Sequence, residues 1–148
     1  MTKIFSSLSA IVLLTFSCFA QASTEYEQAI AAANQGNYKA AYQVASMLDN
    51  GRHVAEDKVA AIDWYKKSAR MGYSQAQSML GFKYAMGTGV EKDMKTAYAW
   101  FTVALGNGHE ISEQYQQKAA KELSAKELEV AKDMASKWAE AYKSKKPE

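Results

Sequence analysis

Shifting the sequence against itself by 36 residues, without a gap, places Ala40 on Ala76, Gly51 on Gly87, Val54 on Val90, Asp57 on Asp93, Ala61 on Ala97, Trp64 on Trp100 and Gly72 on Gly108. Those are seven identities in the 33 positions from 40 to 72, against about two that average residue usage supplies by chance. Tyr65 with Phe101 and Val44 with Leu80 keep the same register. One period earlier, Gly36 falls on Gly72 and Ala33 on Ala69, so residues 24–37 read as the second half of a truncated unit. A period of this length belongs to stacked supersecondary units, none of which buries its apolar faces alone. The chain is therefore expected to fold as an array: a half unit, full units at 38–73 and 74–109, and a different ending at 110–143.

Within a unit the pattern is helical. Tyr38 to Asn50 carries apolar positions at Val44, Ala45, Met47 and Leu48 and ends at Gly51, which suits the left-handed conformation that closes a helix. We term this helix A. Asp57 and Asp93 stand just before the next helical run, where a carboxylate accepts from free backbone N–H groups and complements the dipole. Their matched positions argue for capping rather than chemistry. Helix B, from Lys58 to about Met71, repeats Ala61, Trp64, Tyr65 and Ala69 on one face and stops at Gly72. Ala40, Ala61, Ala69 and Gly81 let helix backbones approach closely, while Trp64 and Trp100 are expected alike to fill the space between neighbouring helices. The ending runs as a helix from Ser112 to Leu123, then Ser124-Ala125-Lys126-Glu127, a capping box that opens a long last helix. Its stripe of Leu128, Ala131, Ala135, Trp138 and Tyr142 is expected to close the core. The expected fold is all-α: a short right-handed α-solenoid of antiparallel helical hairpins with a C-terminal capping helix pair.

The second unit, with Ala76, Leu80-Gly81, Tyr84, Gly87-Thr88-Gly89-Val90, Asp93, Ala97, Trp100-Phe101, Ala104 and Gly108-His109, resembles the Sel1-like repeat, a relative of the tetratricopeptide repeat with a GxGV turn. The first, with Gly51-Arg52-His53-Val54, Asp57, Ala61, Trp64-Tyr65, Ala69 and Gly72-Tyr73, is similar to a slightly degenerate copy in which His53 replaces the second glycine. A non-glycine residue there has to enter a positive-φ conformation. The resemblance covers nearly all of the chain after residue 22. It implies a protein-interaction module and no particular partner.

The start of the chain speaks to compartment. Met1 to Lys3 are cationic, Ile4 to Ala20 hold no charge, and Ala20-Gln21-Ala22 offers a small-x-small cleavage site, so a signal peptide over 1–22 and a periplasmic or secreted chain are expected. The uncharged run is at the short limit for a bilayer, and no membrane span is expected after cleavage. Ser17-Cys18 also resembles the end of a lipobox, which leaves lipidation at Cys18 as an alternative. Cys18 is the single cysteine, so the 126 residues that remain (148 − 22) have neither a disulfide nor a thiol ligand or nucleophile. They suffice for one domain with a real core. Losing Lys3 leaves 17 basic and 16 acidic residues (18 − 1 and 16), too balanced for a nucleic-acid-binding face. The basic run Lys143 to Lys146 reads as a solvated helix end.

Catalysis would need converging nucleophiles, bases or ligands. After residue 22 the histidines are His53 and His109, both in inter-helix turns, and no HExxH, SxxK or phosphate-cradling loop occurs. No cofactor, metal or catalytic residue is therefore assigned. The expected function is an exported, non-catalytic scaffold or adaptor that binds a peptide or partner protein through a helical groove. Two alternatives stand beside it: a protein that binds or hydrolyses cell-wall fragments or β-lactams, a role claimed for cysteine-rich relatives whose paired cysteines this chain lacks, and a structural accessory of an envelope assembly. Setting aside the positions that repeat for packing leaves Lys39, Tyr42, Ser46 and Asn50 in the first helix A, and Gln75, Ser78, Phe82 and Met86 in the second, as the candidate partner-binding set. Tyr42, Phe82 and Met86 are its expected anchors, with a core role open for Phe82.

Overall fold

The computed structural model describes residues 24–143; the expected leader at 1–22, Cys18 within it and the residues after Lys143 lie outside that range. Among the described residues there are seven helices and no strand: α1 (24–34), α2 (Tyr38–Asn50), α3 (Lys58–Arg70), α4 (Ser74–Met86), α5 (Met94–Gly106), α6 (Ser112–Lys121) and α7 (Ala125–Ala141). None of them is long and apolar enough to cross a membrane.

Local chemistry sets the ends. Asn37 caps α2 by accepting from the backbone N–H groups of Lys39 and Ala40, both at 3.0 Å. Asp57 accepts from Ala60 N at 2.9 Å and Asp93 from Lys95 N at 3.0 Å, so both aspartates cap as their matched positions suggest. Burial raises the Asp93 carboxyl, but hydrogen bonds from Thr96 and Lys95 outweigh it and hold the group below its ordinary pKa. The box at the head of α7 is complete, with Ser124 and Glu127 each satisfying the other's backbone N–H. The A-to-B turns repeat in conformation as well as in sequence: Gly51 and Gly87 have φ 63 and 70, and His53 and Gly89 have φ 65 and 75.

His53 is the only described non-glycine residue with positive φ. At Gly89 an added Cβ would collide with the backbone carbonyl of Lys58, so the second unit's turn lies directly on the start of α3. One period earlier the counterpart of Lys58 is Ala22, outside the described residues. There the His53 ring instead turns Nε2 to Glu25 Oε2 on α1, 3.3 Å away. The degenerate turn therefore keeps its left-handed conformation, at a backbone cost of about 1–2 kcal/mol.

The hairpins α2/α3 and α4/α5 pack in sequence order, with α3 on α4 and α5 on α6. The half unit α1 joins the core through buried Ala29 and Ala33. α6 carries no identity to the earlier A helices, yet it holds their register. Its buried Ser112 stands where Ala40 and Ala76 stand, and its buried Ala119 where Met47 and Lys83 stand, at steps of 36. The ending is thus less of a departure than expected: α6 is a third helix A. α7 is the true cap, since it lies on α5 instead of pairing with α6. Ala131 and Ala135 face inward and let its backbone come close. Trp138 and Tyr142 extend the contact to the Trp100 ring, with centroids at 4.7 and 5.6 Å.

The two repeated tryptophans are not equivalent. Trp100 is 5% exposed beneath α7, whereas Trp64 is only partly buried, with Lys67 Nζ 4.6 Å above its ring. The repeat places both side chains, but only Trp100 has an α7 to cover it. Close approach is also asymmetric: a Cβ on Gly81 would come within 2.5–2.9 Å of the Phe101 ring, so the α4–α5 contact excludes any side chain there.

Candidate partner-binding face

Helices α2, α4 and α6 share one side of the array. On α2, Tyr42, Ser46 and Asn50 come together with Gln43, Met47 and Arg52 around a shallow depression of about 310 Å³. Sequence reasoning missed the last three. Gln43 was within reach, because it lies between Lys39 and Ser46 on the same helical face. Arg52 lies past the helix end, where periodicity carries no information. Lys39 borders a neighbouring depression between α1 and α2, with Glu25, Gln28, Ala32 and Gln43.

The second unit divides differently. Gln75 and Met86 are exposed, Met86 at 66%. Phe82 is held edge-on between Phe101 and Tyr115, with centroids 5.1 and 4.4 Å away, so it is half core and half surface. Ser78 is buried and is not a surface residue: its hydroxyl accepts from Ser112 Oγ at 3.1 Å, beneath α6. At the equivalent position in the first unit, the Tyr42 side chain is long enough to reach outward. The third helix A extends the face in register, placing Tyr115 at the position of Gln43 and Met79, and Lys118 at that of Ser46 and Phe82.

Beneath the depression lies a polar cluster that sequence patterning did not reveal. Lys83 Nζ meets Asp49 Oδ1 at 2.5 Å, with both side chains 10% exposed, and ties α4 to α2. Tyr65 on α3 donates to Asp49 Oδ2 at 3.5 Å. Burial first, and then the Asp49 charge, push the Tyr65 phenol far above its ordinary pKa. Burial, with Tyr73 and Asp49, raises Tyr42 likewise. These phenols stay protonated and the cluster acts as a neutral internal tie. The rings of Tyr38, Tyr42, Tyr65 and Tyr73 pack against one another around it, at 5.2–5.5 Å.

The histidines have structural partners. His109 Nδ1 lies 2.8 Å from Ser112 Oγ, but Ser112 is fully buried and its hydroxyl donates to Ser78, which fastens α6 to α4. Gln77, also fully buried, donates to the Ala69 carbonyl at 2.9 Å and the Tyr142 carbonyl at 3.1 Å, locking the end of α7 to α3 and α4. Among the described residues, no three His, Cys, Asp or Glu side chains gather where they could hold a metal.

The sequence profile of the Sel1 repeat matches residues 39–73 and 74–109, the two hairpins described above. The chain is a Sel1-like repeat protein. Among curated relatives, Protein sel-1 homolog 2 of Homo sapiens and of Rattus norvegicus are each 34% identical over 82 residues, which is 55% of this chain and 12% of theirs. The chain therefore corresponds to about an eighth of the length of the curated relatives it matches. Of solved structures, c5321, a protective antigen present in uropathogenic Escherichia coli strains and displaying an SLR fold, superposes with a TM-score of 0.77 at 33% identity, covering 79% of this chain and 25% of that one. A Sel1 repeat protein from Oxalobacter formigenes shares the fold, with a TM-score of 0.59 at 24% identity over 74% of this chain and 33% of that one. The first superposition reaches beyond the two matched repeats, so the Sel1-like architecture extends into the flanking helices.

Proposed function

We propose that this Sel1-like repeat protein is an exported, non-catalytic interaction module that binds a peptide or partner helix along the face of α2, α4 and α6. The observation that carries the reading is how side chains divide on that face. Ala40, Ala76, Leu80 and Ser112 are used in stacking, whereas Gln43, Asn50, Gln75 and Met86 are left outward, with Tyr42 and Phe82 partly exposed among them. Aromatic and methionine side chains presented this way suit the anchors of a bound segment. Export rests on the charge and cleavage pattern of residues 1–22.

The test is site-specific photocrosslinking in the cells that make the protein. A benzophenone amino acid at Ser46 or Met86 is expected to give a discrete protein adduct, while one at Val130 on α7, 46% exposed, gives none. The same adduct from all three sites, or none from any, removes the reading. Mass spectrometry of the isolated protein checks export, with Ser23 as the expected first residue.

A further inference from the structure

Taking the helix-A face as the binding surface, we infer that the segment it binds is acidic, a chain of carboxylates carrying aromatic or aliphatic anchors. The three A helices contain two carboxylates, Asp49 and Glu113, against four lysines, Lys39, Lys83, Lys118 and Lys121, and Arg52 follows at the end of α2. Asp49 is engaged internally by Lys83 and Tyr65, while Glu113 is exposed and accepts from the neutral Gln117 amide at 3.5 Å. Glu25, at the rim of the α1–α2 depression, is paired with His53, and Glu122, just past α6, with Lys92 at 3.8 Å. The cations are not engaged in the same way. Among the described residues neither Arg52 nor Lys118 has a carboxylate partner. Arg52 opens onto the 310 Å³ depression, and Lys118 Nζ rests 5.5 Å above the Tyr115 ring. The buried Asp49–Lys83 pair cancels, and the charge that the A helices and the residue after α2 leave outward is positive on balance, with exposed Lys39, Arg52, Lys118 and Lys121 against exposed Glu113.

That arrangement discriminates between partners. A basic segment would face the like charges of Arg52 and Lys118 with only Glu113 to offset them, while an acidic one completes two ion pairs, at Arg52 beside Tyr42 and at Lys118 beside Tyr115. Neutral amides at Gln43, Asn50 and Gln75 suit the backbone groups of either. Opposite charge at the rim of an interface accelerates encounter and makes affinity depend on salt.

The experiment pans a phage-displayed library of random 12-residue peptides against the purified protein, then against R52E/K118E and Y42A/M86A. Both charged sites are exposed and are expected to tolerate reversal, with unchanged circular dichroism. Enriched peptides should carry net negative charge and an aromatic or leucine anchor, and should bind R52E/K118E at least tenfold more weakly. Their affinity should also fall between 0.05 and 0.5 M salt, a range over which screening shortens the Debye length to about a third. Neutral or basic enriched peptides that still require Tyr42 and Met86 overturn the charge inference and leave the binding face in place. Peptides that bind Y42A/M86A as well as the wild type, or no enrichment at all, overturn the face itself.

Discussion

Truncating the two repeated tryptophans separately should give unequal losses, although the repeat makes them equivalent. Trp100 is 5% exposed, and its ring lies 4.7 Å from Trp138 and 5.6 Å from Tyr142, nearly parallel to the latter at 16°. Removing a buried indole costs about 3–5 kcal/mol when the surroundings do not collapse into the space. Collapse is restricted here, because Gln77 and Asn107 fix the end of α7 by donating to the Tyr142 carbonyl at 3.1 and 2.9 Å. Trp64 is partly exposed, with Lys67 over one face, and the area it returns to water corresponds to about 1–2 kcal/mol. Urea unfolding of Trp100→Ala and Trp64→Ala, followed by far-UV circular dichroism, measures the difference. Since a domain of this size holds only about 5–15 kcal/mol, Trp100→Ala approaches the limit of stability and Trp64→Ala does not. Limited proteolysis adds a local readout, with cleavage after Lys132 or Lys137 speeding up in Trp100→Ala alone. Losses equal within 0.5 kcal/mol, roughly the limit of such comparisons, would refute the idea that α7 gives the second tryptophan its weight.

Gly81→Ala should destabilise by about 1–3 kcal/mol despite alanine's better helix propensity, because the new methyl meets the Phe101 ring, itself flanked by Phe82 and Tyr115; a raised melting temperature would contradict this. Asp49→Asn leaves the Lys83 ammonium buried without its counter-charge and should lose about 3–5 kcal/mol, whereas Asp49→Asn combined with Lys83→Met should regain most of it. A double-mutant cycle by denaturant unfolding with no coupling between the two sites would show that the pair is not the tie described.

Much of the architecture was legible in one dimension. The bounds of α2, the aspartate caps of α3 and α5 and the capping box of α7 follow from residues whose preferences are local: Gly51 at a left-handed turn, Asp57 and Asp93 ahead of free N–H groups, Ser124 with Glu127. Helix ends set by packing were read less well. α3 stops at Arg70 and α6 at Lys121, short of the positions their apolar patterns suggested. The candidate face was legible only in part. Tyr42, Ser46 and Asn50 do meet around one depression, but Ser78 is covered by α6, and Gln43, Arg52 and Tyr115 join the face from positions the subtraction did not reach.

The Asp49–Lys83 pair shows why. Lys83 stands where the neighbouring units have Met47 and Ala119, and Asp49 where the second unit has Ala85. Each is out of pattern on its own, and each becomes reasonable only when α2 and α4 bring them together across 34 residues of chain. The sequence by itself determined the 36-residue period, the helix-turn chemistry of each unit and the family to which the units belong, because caps, positive-φ turns and apolar spacing act within a few residues. Only the tertiary structure decided that α6 continues the array, that α7 folds over α5 to bury one tryptophan and not the other, and that Asp49 and Lys83 cancel inside while the charges left outside on the A helices are mostly cations. Those outcomes depend on contacts between helices far apart in sequence, whose partners no local preference names.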